Sequence, residues 1–94
     1  MITLSEAVAQ ELRAELAVRG WHMDELSARS GHTKTTGWRH IKGTSRLSID
    51  DVEAYARGLG WTLDKLVARA RVRQAESEEG DATTREAPAS AERE

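Results

Sequence analysis

From Leu26 to Ile49 the chain carries no acid, yet Arg29, Lys34, Arg39, Lys42 and Arg46 all fall within that stretch. A run of bases without carboxylates suits a polyanion, and duplex DNA presents a phosphate charge about every 1.7 Å of its axis. Arg39 is the best base-reading candidate, because its planar fork fits the O6 and N7 acceptors of guanine. Lys42, Arg46 and Arg29 suit phosphates, where a cation positions a protein without specifying sequence. For each of these residues the plain alternative is a solvated surface charge.

Other chemistry is poorly represented. His22, His32 and His40 lie ten and eight residues apart, with no cysteine and no HxxxH pair, so their spacing signals no metal site. His32 and His40 would add charge to the basic stretch below about pH 6.5. The pair Asp50–Asp51 follows Ser48, where carboxylates stabilise a helix start, so capping accounts for it better than acid–base catalysis. There is no Gly-rich phosphate loop and no nucleophile elbow, and so short a chain encloses a substrate pocket with difficulty. The expectation is a binding protein, neither an enzyme nor a cofactor carrier.

The elements that must position the basic residues read as helices throughout. Ser5 is the expected N-cap of a first helix with Val8, Leu12 and Leu16 on one stripe, ended by Gly20. A second runs from Met23 to Ser30 with Leu26 as its core anchor, and Gly31 ends it. Thr33 caps a third over Lys34–Lys42, closed by Gly43. Ser48 caps a fourth, Ile49 to Leu59, with Val52, Tyr55 and Leu59 inward. Thr62 caps a fifth, which contains Leu63, Leu66 and Val67 and extends through Arg73. Arg69, Arg71 and Arg73 give it a basic end that complements the helix dipole, or else a second contact surface. Trp21 and Trp61 follow terminating glycines and are expected to seal corners of the bundle.

Residues 75–94 hold seven acids against two bases, the only proline, and no Leu, Ile, Val or aromatic residue. Such a segment buries too little to offset its ordering entropy and is expected to be a disordered acidic tail. It carries −5, which leaves +3 on the domain of residues 1–74. The absence of cysteine fits a reducing compartment. Without an apolar run of membrane-spanning length or a secretion signal, the expected location is the cytoplasm.

The run DELSARSGHTKTTGWRHIKG, followed by LSIDDVEAYARGLGWTLDKLV, resembles the lambda-repressor-like (XRE-type) DNA-binding domain, in particular that of actinobacterial and actinophage immunity repressors. Asp24, Glu25, Leu26, Ser27, Ser30 and Gly31 match the family's opening motif, and Gly43 matches its closing glycine. The stretch from Ala56 through Leu59, Gly60, Trp61, Thr62, Leu63 and Asp64 to Leu66 matches its ending. The resemblance spans about residues 4–70 and implies a compact five-helix bundle with a helix-turn-helix that binds operator DNA. It also makes Thr33, Lys34 and Thr35 groove-facing, at a helix start whose amides favour a phosphate.

Departures bear on the third helix. Ser27 replaces a usual alanine, and His32 replaces an aliphatic residue. Gly37 and His40 stand where the family points side chains inward, with Trp38 and Ile41 one place later. One place is about 100° of rotation, so a turned or shifted helix is an expectation to test. On that basis Trp38 is expected in the core, the alternative being stacking on a sugar or thymine methyl. The sequence reading is a DNA-binding transcriptional regulator, a phage or prophage repressor or Cro-like protein, acting on double-stranded DNA. A protein-interaction module and an antitoxin using its tail are the alternatives. Homodimerisation is left open, and no exposed heptad suggests a coiled coil.

Overall fold

The computed structural model describes the backbone of residues 2–90 and the side chains of residues 2–77. Within them are five helices and no strand: α1 (Leu4–Arg19), α2 (Met23–Ser30), α3 (Lys34–Lys42), α4 (Ile49–Leu59) and α5 (Leu63–Ser90). No helix among the described residues is long and apolar enough to cross a membrane.

Side-chain caps set the starts. Thr3, not Ser5, caps α1: its hydroxyl accepts from Glu6 N–H at 3.0 Å while the Glu6 carboxylate accepts from Thr3 N–H at 2.8 Å. This reciprocal capping box satisfies two orphan donors, which a Ser5 cap would not do here. Ser5 instead accepts from Leu47 N–H at 3.0 Å, tying α1 to the α3–α4 loop. Thr33, Ser48 and Thr62 cap α3, α4 and α5 as the sequence suggests.

α1 packs on α5 and α3, and α2 packs on α3 and α4. The core joins Val8, Leu12 and Leu16 to Met23, Leu26, Ile41, Val52, Tyr55, Leu59, Leu66 and Ala70. Trp21 and Trp61 lie half-buried against it, each donating its backbone N–H to the helix just ended. Arg19 lies near both rings, 4.8 Å from the centroid of Trp21 and 5.7 Å from that of Trp61.

Two of the three arginines expected at the end of α5 lie within the helix and face α1. Arg69 and Arg73 donate from Nε to the two oxygens of Glu11, at 2.6 and 2.7 Å, and Glu11 is buried. Burial alone would raise the Glu11 carboxyl, but hydrogen bonds and charge from both guanidinium groups outweigh it and hold the pKa below the ordinary range. The backbone of α5 is described to Ser90, so the segment expected as an acidic tail from residue 75 begins within this helix. Gln74, Ala75 and Glu76 directly after Arg73 are good helix formers. Gln74 ties back by donating to the Ile2 carbonyl at 3.2 Å. The rest of the tail expectation, in residues 91–94 and the side chains beyond residue 77, lies outside the described residues.

Candidate nucleic-acid interface

α2 and α3 meet at a tight turn. Gly31 takes φ 78°, a left-handed conformation that glycine adopts without strain, and its N–H and that of His32 close α2. The two helices then press together at Gly37. A Cβ at that position would overlap the Ser27 hydroxyl and meet the Met23 methyl at 3.3 Å. Ser27 and Gly37, two departures from the resembled pattern, are therefore one packing solution: the larger side chain sits on α2 and none on α3.

That contact fixes the rotation of α3. Gly37, His40 and Ile41 are buried, while Lys34, Thr35, Trp38, Arg39 and Lys42 are exposed. The expected turn of the helix does not occur, and the expectation that Trp38 anchors the core is corrected. Trp38 lies at the surface, 38% exposed, with its indole N–H donating to Asp24 Oδ1 at 3.2 Å. A buried imidazole replaces it inside, because His40 Nδ1 finds the Tyr55 hydroxyl at 2.7 Å and so stays hydrogen-bonded.

The base-reading candidates thus converge on one surface. Thr33 is the N-cap of α3; its hydroxyl accepts from Thr36 N–H at 3.1 Å and keeps its own proton to donate. Lys34 and Thr35 follow on the first turn. Trp38, Arg39 and Lys42 continue the same face, and a shallow groove runs past Lys34, Thr35, Trp38, Arg39, Lys42 and Thr44. The Lys42 ammonium lies 5.5 Å from the Trp38 ring centroid. Arg39 has no ion-pair partner among the described residues, which leaves its fork available. Thr44 closes the helix by donating its hydroxyl to the Arg39 carbonyl at 3.1 Å.

The phosphate candidates divide. Lys42 borders the groove, and Arg46 is exposed on the loop before α4 with no carboxylate partner among the described residues. Arg29 is already engaged: it donates twice to Glu25, at 2.9 and 3.0 Å, and covers the Trp21 ring at 4.5 Å. Of the three it is the least free to meet DNA. Sequence reasoning missed Arg13, whose guanidinium reaches the Ile41 carbonyl at the end of α3 and lines a hollow with Lys42 and Gly43. Nothing in the spacing marks it, because only folding brings α1 beside α3.

Folding also brings one acid onto the basic face. Asp24 lies outside the acid-free stretch, but α2 holds it beside α3, 3.8 Å from the Lys34 ammonium and bonded to Trp38. It orients both side chains and partly cancels the charge of Lys34. A second feature sits behind the face. His32, at the α2–α3 turn, places Nε2 3.0 Å from Asp51 Oδ1 on α4, with His40 nearby. Asp51 is also the second member of the Ser48 capping box, accepting from Ser48 N–H at 2.9 Å. Burial would raise its carboxyl, but bonds from His32 and Ser48 hold it below the usual range. Burial lowers the His40 imidazole against the opposing pull of Asp51 and keeps it neutral at neutral pH. Compared with protein-family models, curated proteins and solved structures, the chain matches none.

Proposed function

We propose that the chain is a sequence-specific DNA-binding transcriptional regulator of the lambda-repressor-like kind, a phage or prophage repressor or Cro-like protein. In this reading α2 braces across the backbone, and α3, led by Thr33, enters the major groove of operator DNA. The observation that carries the reading is the outward face of α3, where Lys34, Thr35, Trp38, Arg39 and Lys42 stand together while Gly37, His40 and Ile41 hold the helix from behind. Arg39, free of partners among the described residues, reads guanine. Lys42 and Arg46 take phosphates, joined by Arg13 at the end of α3. Occupying a promoter in this way represses by exclusion.

The test is selection of bound duplexes from a random pool, followed by titration of the Arg39→Ala and Lys42→Ala chains at several salt concentrations. Arg39→Ala should cost about 1–3 kcal/mol on the selected site and relax preference at one base pair. Lys42→Ala should weaken all duplexes alike and reduce the salt slope by roughly one unit. If the pool yields no enriched sequence and neither change alters retention, α3 is not a reading head. The fold would then serve as a protein-interaction module.

A further inference from the structure

The polar cluster behind α3 has the composition of a metal site. His32 comes from the α2–α3 turn, His40 from the inner face of α3 and Asp51 from the first turn of α4, and one donor atom of each lies within 4.8 Å of the others. The Tyr55 hydroxyl occupies Nδ1 of His40, which leaves Nε2 as that ring's free nitrogen. Nε2 faces Asp51 Oδ2 at 3.6 Å, too long for a hydrogen bond. His32 Nε2 approaches the other Asp51 oxygen at 3.0 Å. Metal–nitrogen and metal–oxygen bonds of about 2.0–2.1 Å at tetrahedral angles separate neighbouring ligands by about 3.3 Å; each imidazole already stands near that distance from one of the two Asp51 oxygens, and a modest turn of the carboxylate brings one oxygen to both.

We propose that His32 Nε2, His40 Nε2 and an Asp51 carboxylate oxygen form a three-ligand site for a divalent transition ion, zinc above all, with the fourth position left to solvent. Two imidazoles and a carboxylate are the borderline donor set that zinc takes. Outer partners fix two of the three ligands: Tyr55 holds the far nitrogen of His40, and Ser48 N–H holds Asp51. The remaining edge closes by a slide of His32, whose Nδ1 makes no hydrogen bond and whose ring lies flat on Tyr55, centroids 4.4 Å apart. Charge favours the ion as well. Asp51 is partly buried and pairs with no lysine or arginine among the described residues, so its carboxylate lacks a full counter-charge. His32 and Asp51 each keep some exposure, giving the ion a way in. Bound there, it would pin the α2–α3 turn and α3 to α4, and this holds whether or not α3 reads DNA.

The experiment uses the full, untagged chain stripped with chelator. Cobalt(II) should give the visible absorption of a tetrahedral site, and zinc should abolish it by displacement. Zinc at about a hundred times its Kd should raise Tm by about 10 °C or more, while magnesium leaves it unchanged. His32→Gln should remove both effects, and His22→Gln should retain them. In case His32→Gln folds poorly, ring-nitrogen NMR of the unaltered chain gives a second readout: zinc should shift Nε2 of His32 and His40 and leave His22 unmoved. A featureless cobalt spectrum with a zinc-independent Tm would overturn the proposal and leave a plain hydrogen-bonded cluster. So would a zinc response that survives His32→Gln, since the ion would then sit elsewhere.

Discussion

The α1–α5 pair and the α2–α3 pair are held together by different means. α1 and α5 bury whole aliphatic side chains, Val8, Leu12, Leu66 and Ala70, and enclose one carboxylate, Glu11, under two arginines. α2 and α3 close over the smallest atoms available, the Ser27 hydroxyl against the bare backbone of Gly37, with Met23, Leu26 and Ile41 as their buried aliphatics. The difference follows from what each pair must leave outside. α3 has nine residues and exposes Lys34, Thr35, Trp38, Arg39 and Lys42, so little of it remains to bury. Close backbone approach and the His40–Tyr55 bond compensate for the missing apolar volume. The α2–α3 pair therefore depends on fewer side chains, and each of them counts for more.

The largest expected effect tests that dependence. Leu26 is fully buried and lies 3.1 Å from where a Cβ of Gly58 would stand, so it links α2 to α4 as well as to the core. Leu26→Ala should cost about 2–5 kcal/mol, read from urea or thermal unfolding. In a domain of this size such a loss is a large fraction of the total stability. A loss under about 1 kcal/mol would mean that α2 is held by something other than its apolar side chain.

The same contrast explains what the sequence made legible. The boundaries of α2, α3 and α4 were readable because glycine stops and hydroxyl caps act locally, within a few residues. The cap of α1 slipped from Ser5 to Thr3 because two hydroxyls compete there and only Thr3 has Glu6 at the reciprocal position. The inward face of α3 was readable only through the resemblance, whose inward positions Gly37 and His40 occupy, and not from hydrophobicity. Hydrophobicity favoured Trp38 for the core, whereas the outcome turned on Ser27 filling the space beside Gly37 and on Tyr55, fifteen residues away, satisfying His40. Asp51 shows both cases at once. Its capping role was visible from Ser48, and its bond to His32, nineteen residues distant, was not.

A second, smaller effect concerns the α1–α5 side. The folded Glu11 carboxyl titrates below its ordinary value of 4.5, so its contribution is complete above that pH and is lost as pH falls through the folded value. Glu11→Gln should cost about 1.5–3 kcal/mol at neutral pH, since two charge-assisted bonds are weakened. The deficit should shrink as the unaltered chain is acidified below that ordinary value and vanish once the folded carboxyl is protonated. Chemical denaturation at a series of pH values measures this directly. A deficit that stays constant with pH would show that Glu11 acts through packing and that its charge is immaterial.

The smallest expected change in stability separates the two faces of α3 most sharply. A tryptophan in the core costs about 3–5 kcal/mol when truncated to alanine. Trp38 instead lies at the surface, joined to Asp24 by one hydrogen bond, to the His22 ring edge at a centroid distance of 5.5 Å, and to Lys42. Trp38→Ala should therefore cost under about 1 kcal/mol, the worth of a single exposed bond and a few contacts. Its consequence belongs to binding. The change releases Asp24 from the indole and removes the flat surface beside Arg39, so affinity for a selected duplex should fall by up to about tenfold, or 1.4 kcal/mol. Thermal melting and titration of the same sample give both numbers. Stability lost with affinity intact would place the indole with the scaffold. Stability intact with affinity reduced would make Trp38 part of the surface that meets DNA, as the proposed function requires.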